Sequence, residues 1–245
     1  VSGGCSKAAS AAELAALTAE LGEAANDARS RVGEVDGVAT VHGGIPSIVA
    51  RAGWAWREAA RDEPLFAGTY ARPKPVLLSK LMSRIGPLGI YSPFTGEANF
   101  NADAPLFSLP YTLCHEMAHQ RGFAREDEAN YLAFRVAVHT GDPEFAYPAL
   151  RIAALYALEA LAEVDEASAI QIYQRRSRGL RRDDRAWRDW SEQRESGVAS
   201  AMNEAASAVH DTYLGSQGAA DGARSYGRML DLLLAERRAR GTVLP

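Results

Sequence analysis

Leucines at three- and four-residue steps (Leu14, Leu17, Leu21) run through an Ala- and Glu-rich segment, 11–32. That is the period of one buried helical face, and the segment is expected to be a helix. Residues 33–46 lose the period and read as a loop. It returns over 48–61, a second helix with Trp54 placed in its apolar stripe. Three prolines and a glycine break up 62–75, which reads as a connection. Residues 75–82 form a short apolar segment that suits a strand or a single turn. The stretch 89–101 holds β-formers punctuated by Pro93 and Gly96, the pattern of two short strands or a hairpin. Helical spacing resumes with Leu109, Leu113 and Met117 behind Ser108-Leu109-Pro110, a capping hydroxyl followed by a first-turn proline. Gly122 marks the stop of that helix, and another follows over 124–141. Beyond Pro148 the pattern predicts helices over about 149–164, 167–177, 185–213 and 225–241. The expected fold is mainly α with a small β-sheet (α+β), in a single domain over 1–245. Its parts are a helical N-terminal portion 1–75, a sheet-and-site portion 76–141 and C-terminal helices 149–241.

The helix beginning at Leu109 carries His115-Glu116-Met117-Ala118-His119. Residues four apart lie on one helical face, so His115 and His119 can bind one metal ion from a single rigid turn. Glu116 stands beside the first ligand, where a carboxylate can take a proton from a metal-activated water. This is the HExxH pattern of a zinc metallopeptidase, with one Zn2+ as cofactor and a peptide or protein as substrate. A hydrolytic site needs a third protein ligand and an open fourth position. Glu126 is the leading candidate, because its face continues through Asn130, Ala133 and Ala137 and can press closely on another helix. Glu128 is the competitor, on a bulkier, partly charged face through Leu132, Arg135 and His139. Asn130 is expected to support a ligand by hydrogen bonding. Residues 91–101, with Asn99 or Asn101 close to the metal, are expected to line the substrate groove, because zincins hold extended peptides along a sheet edge. An oxyanion-stabilising group downstream could be His210, Tyr213 or Tyr226, and the sequence does not choose among them.

Four stretches carry a family resemblance: Gly89-Ile-Tyr-Ser-Pro-Phe-Thr-Gly-Glu-Ala-Asn-Phe-Asn101, His115-Glu-Met-Ala-His-Gln-Arg-Gly122, Arg125-Glu-Asp-Glu-Ala-Asn130 and Ser225-Tyr-Gly-Arg-Met-Leu-Asp-Leu-Leu-Leu234. Together they resemble the bacterial family known as domain of unknown function 3810. The resemblance implies a zincin-like metallopeptidase fold. It also implies a membrane-anchored parent protein, with hydrophobic segments outside this chain and the soluble domain on the extracytoplasmic side. Glu126 to Asn130 is similar to the Glu-x-x-x-Asp stretch of gluzincins, whose first Glu binds zinc. Here Asn130 replaces the usual Asp, and Glu126 lies much nearer to His119 than in most gluzincins.

With 47% hydrophobic and 24% charged residues, the chain can bury a sizeable core. A net charge of −4 argues against a general nucleic-acid surface. No run of about 18 apolar residues occurs, so no bilayer span is expected. The start at Val1 rather than Met suggests a portion of a longer protein. Residues 175–188 hold seven Arg, expected to be a solvated helix face or turn with local acidic partners. Trp187 and Trp190 read as core. Cys114 reads as a small core residue and Cys5 as a free surface thiol. His42 falls in a Gly-rich loop, and His139 ends a helix where its dipole favours a cation. The rival to an enzyme is a non-catalytic, membrane-linked sensor or scaffold with a structural or vestigial zinc site. Glu116 argues against it, since such a site needs no base.

Overall fold

A computed structural model describes residues 9–85, 87–195 and 222–245. Helix α1 (Ala11–Ser30) opens on a capping box in which Ser10 and Glu13 satisfy each other's backbone N–H groups. Its buried stripe of Leu14, Leu17 and Leu21 lies along α6 (Pro143–Val164), the long central helix. The expected loop after α1 contains a miniature hairpin, β1 (Glu34–Val35) and β2 (Val38–Ala39). Asp36 and Gly37 turn it with positive φ at both positions, the geometry that Asp-Gly favours between antiparallel strands. Helix α2 (Gly44–Asp62) buries Ile48, Ala52, Ala55, Trp56 and Ala59. Trp54 falls off that stripe and is 39% exposed, so Trp56 is the core aromatic here.

The small sheet has the order β3-β5-β4, from β3 (Lys74–Pro75), β4 (Gly89–Ser92) and β5 (Glu97–Phe100). Central β5 runs parallel to β3 and antiparallel to β4, with Ile90 opposite Asn99 and Tyr91 opposite Ala98. Ala98 and Phe100 are buried on the inner face. Between β3 and β4 the apolar segment becomes a short helix, α3 (Ser79–Ile85).

A 3-10 turn, Leu106–Ser108, leads into α4 (Leu109–Gln120). Ser108 is already helical and its hydroxyl donates to the Pro105 carbonyl, so the serine turns the chain but does not cap the helix. Gly122, at φ +92, lets the chain reverse into α5 (Glu126–His139). Helix α6 starts earlier than Pro148 suggested: Asp142 caps it by accepting from the Glu144 N–H, and Pro148 sits inside. Helices α7 (Glu166–Gln174), α8 (Arg178–Glu195) and α9 (Gly222–Arg240) complete the described chain.

One contiguous core extends from Leu17 to Val243, and Cys114 is buried within it. Burial pushes the Cys114 thiol up to about 12, so it is an inert core group. Among the described residues, α6 is the one helix long and apolar enough by length and composition to cross a membrane; 61% of that window is buried in this fold.

The arginine run is largely the exposed face expected of it: six of its seven arginines are exposed, and Arg176 is buried beside its local acid Asp184. Its two acids also reach partners outside the run. Asp183, with no exposure at all, accepts from Arg29 Nε and the Tyr147 hydroxyl, both at 2.5 Å, and from the Ala39 N–H at 2.8 Å. Arg151 and Arg176, both buried, share Asp184. Trp187 and Trp190 are half-buried against the core. These contacts fasten α8 to α1, α6 and the β1–β2 hairpin.

Candidate metal centre

Helix α4 is buried almost throughout, between α5, α6, α2 and the sheet. Its two histidines therefore have little freedom. His115 Nε2 and His119 Nε2 lie 3.0 Å apart. Helix α5 begins with Glu126, whose two oxygens stand 3.2 Å from His115 Nε2 and 3.3 Å from His119 Nε2. Glu126 is brought there by the turn at Gly122, which places the first turn of α5 beside the last turn of α4. The same turn presents the Phe123 carbonyl to His119 Nδ1 at 2.8 Å. That contact puts the proton on Nδ1 and turns the lone pair of Nε2 toward Glu126 and His115.

Three donor atoms within 4.8 Å of one another thus converge. A tetrahedral zinc ion with bonds of about 2.0–2.1 Å has ligand–ligand edges of about 3.3 Å, the scale of the 3.0 Å between the two Nε2 atoms and of the 3.2 and 3.3 Å from each of them to a different Glu126 oxygen. Two imidazoles and one carboxylate also match the donor chemistry of hydrolytic zinc. Burial works against charge on His119, but Glu126 and Glu116 beside it outweigh that and raise its proton affinity. Glu126 is held far below the usual carboxylate range by the hydrogen bonds and charges of the two histidines, against the burial that opposes ionisation.

Glu116 is buried, which pushes its carboxyl up, while the neighbouring histidines and the Tyr91 backbone amide pull the other way. Its closest constraint comes from the sheet. A Cβ placed on Gly89 would stand 2.3 Å from Glu116 Oε1 and 2.5 Å from Cδ. Only a residue without a side chain leaves the carboxylate where it is. Gly89 is thus a site residue that composition and spacing did not single out, because the contact joins a strand to a helix across 27 positions.

Strand β4 is the sheet edge at this site. The Asn101 N–H donates to the Leu88 carbonyl and the Gly96 N–H to the Ser92 carbonyl. Alternation along an antiparallel pair then leaves the backbone groups of Gly89 and Tyr91 directed away from β5.

Other expected site residues are placed differently. Asn101 is fully buried, donating to Ser83 Oγ and accepting from the Asp103 N–H. It holds α3 against the end of β5 and cannot line a groove. Asn99 is half-buried and donates to the Ile90 and Glu97 carbonyls within the sheet. Asn130 is buried and its side-chain oxygen accepts from the Tyr111 hydroxyl of α4 at 3.1 Å, which braces the two helices. Glu128 is half-buried and pairs with Arg125 at 3.6 Å, and it is not among the groups that converge with the histidines. His139 stands 3.4 Å from Asp62, and His42 is exposed with its backbone N–H donated to Glu144. Cys5, His210, Tyr213 and the Tyr226 side chain lie outside the described residues.

The residues following the histidines brace the rim. Gln120 Nε2 donates to the Ala71 and Gly96 carbonyls, joining the 62–75 connection to the β4–β5 turn. The Arg121 guanidinium is stacked between Trp56 and Tyr70, 4.2 and 4.3 Å from their centroids, and donates to the Phe66 carbonyl. Burial brings its pKa down to about 10.

The family described as "Protein of unknown function (DUF3810)" matches residues 4–234. No curated protein and no solved structure matches the chain.

Proposed function

The chain belongs to that family of unknown function, a membership that assigns no chemistry, and we propose from its site that it is a zinc-dependent peptidase with a zincin-like centre. The single observation that carries this reading is the convergence of His115 Nε2, His119 Nε2 and the Glu126 carboxylate beside a buried Glu116. Zinc held there would act as a Lewis acid and make a water nucleophilic near neutral pH.

The chain's own groups do the rest. Glu116 takes the proton of the attacking water and returns it to the leaving amine. Gly89 and the Tyr91 amide fix the position from which it does so. The edge of β4 would offer the Gly89 backbone groups and the Tyr91 carbonyl, whose own N–H is engaged by Glu116, to an extended peptide bound as an added strand. A structural zinc site usually fills all four positions and has no use for a buried carboxylate beside its ligands, which favours the enzyme over a sensor or scaffold. The family resemblance supports a membrane-anchored parent protein with this domain on the extracytoplasmic side.

The test measures zinc content and hydrolysis of an unfolded protein such as casein on the same samples. Glu116→Gln is expected to keep zinc and lose nearly all hydrolysis, at least about a hundredfold. Glu126→Ala is expected to lose zinc, whereas Glu128→Ala keeps it. A wild type that binds no zinc, or a Glu116→Gln variant with full turnover, would end the proposal.

A further inference from the structure

Six large apolar side chains that stand in solvent fall within one stretch, residues 64–96: Leu65, Leu77, Leu78, Leu81, Ile90 and Phe94. Leu77 is 100% exposed and Phe94 97%. The same stretch has no Asp or Glu, yet it holds Arg72, Lys74, Lys80 and Arg84 in a chain of net charge −4. Apolar exposure and positive charge are thus concentrated together, against the trend of the whole molecule.

Most of these residues border the small sheet. The register puts Lys74, Asn99 and Ile90 on the outer face of the sheet, opposite the buried Ala98 and Phe100. Leu77, Leu78 and Leu81 follow at one end, where the Val76 N–H donates to the Phe100 carbonyl and α3 begins. Phe94 protrudes at the other end, in the turn closed by the Gly96 N–H and the Ser92 carbonyl. The ends are separated by the length of β5, roughly 10 Å at about 3.3 Å per residue. Acids bordering this face are engaged: Glu97 pairs with Lys74, Asp103 accepts from the Ser83 hydroxyl, and Glu63 accepts from the Leu65 N–H. Among the described residues, Arg72, Lys80 and Arg84 are exposed and make no ion pair.

These side chains protrude, and cations alternate with them. A surface that is anionic outside and apolar beneath satisfies both sets at once: basic heads reach the charged layer while apolar side chains enter below it. We propose that the outer face of the β3-β5-β4 sheet, with α3 and the β4–β5 turn, docks on an anionic lipid bilayer. Leu77, Leu78, Leu81 and Phe94 enter the boundary between headgroups and acyl chains, and Arg72, Lys80 and Arg84 meet lipid phosphates. Because β4 borders Glu116 as well, docking holds the mouth of the metal centre close to the membrane surface. The docking surface does not depend on the peptidase reading, since no metal ligand belongs to it.

The test is co-sedimentation of the full chain, in excess chelator, with phosphatidylcholine vesicles lacking or containing phosphatidylglycerol. Chelation separates this result from any outcome at the metal centre. The wild type is expected to bind the anionic vesicles and to release as salt is added. The double variants Leu77→Ser with Leu78→Ser, and Lys80→Glu with Arg84→Glu, should each bind about tenfold more weakly or worse. Leu232→Ser, exposed on α9, should bind as the wild type does, and circular dichroism should show all variants folded. Absence of wild-type binding to anionic vesicles would overturn the proposal, as would double variants that bind normally. Self-association abolished by the leucine pair, without vesicle binding, would assign the face to a second copy of the chain and overturn it too.

Discussion

A methyl group at Gly89 would overlap the Glu116 carboxylate, and the two belong to elements that meet only in the folded chain. Gly89→Ala must therefore move either the carboxylate or the β4 edge, by something on the order of 1 Å. Misplacement on that scale costs about a hundredfold in rate when a reacting group is displaced. His115, His119 and Glu126 are not touched by the added methyl, so zinc should stay bound. Turnover on casein, measured beside metal content, is expected to fall steeply while zinc stoichiometry holds. Unchanged turnover would show that Glu116 acts from a position Gly89 does not control. The contrast explains what the sequence could reveal at this scale. The HExxH residues and Glu126 are legible because their geometry is set within one helix and by the turn after it. Gly89 is hidden because its role depends on tertiary approach. Asn101 was misread for the same reason: its amide is claimed by Ser83 and the Asp103 N–H, partners that no local pattern announces.

Helices with a clean apolar period were readable to within a few residues, whereas elements set by special residues were not. Pro148 looked like a helix boundary, yet Asp142 and Pro143 start α6 beforehand and burial of Tyr147 and Leu150 carries the helix through. The β1–β2 hairpin is too short for any alternation, and only Asp36-Gly37 hinted at it. The arginine run is legible as a mostly exposed face, but the work of its two acids is not, because their partners Arg29, Tyr147 and Arg151 lie on other elements. Asp183 gathers Arg29 from α1, Tyr147 from α6 and the backbone of β2. Removing it leaves the buried Arg29 guanidinium with only Glu34 and the Gly37 carbonyl, at the edge of the hairpin. Asp183→Ala should therefore destabilise the fold by about 3–5 kcal/mol, read as a lower urea midpoint. Asp183→Asn, which keeps an acceptor for the Ala39 N–H, should cost less. A change below about 1 kcal/mol for Asp183→Ala would mean that the cluster contributes no more than a surface ion pair does.

Across the whole molecule, the last segment closes over the first. Glu20 of α1 accepts from Arg237 at 2.8 Å, from the Thr242 hydroxyl at 2.5 Å and from the Val243 N–H at 2.9 Å. On the other side, Glu236 pairs with Arg135 and accepts from the Tyr131 hydroxyl of α5, so α9 spans α1 and the helix that carries Glu126. Burial works to raise the Glu20 pKa, but the bonds from Thr242, Val243 and Arg237 outweigh it and hold the carboxyl below its ordinary value. A carboxylate whose folded pKa is depressed contributes stability above its unfolded pKa, near 4.3. That contribution is lost as pH falls through the lower folded value. Glu20→Ala should accordingly lower stability by about 2 kcal/mol at neutral pH, the usual scale for hydrogen bonds to a charged group. The difference from wild type should shrink as the solution is made acidic through that window. Hydrogen exchange should accelerate first at residues 237–244, whose anchor has gone. Zinc affinity of the folded variant should not change, because α4 and α6 still hold α5 in place. A variant whose deficit is the same at neutral and acidic pH would show that Glu20 acts through its bulk and not through its charge.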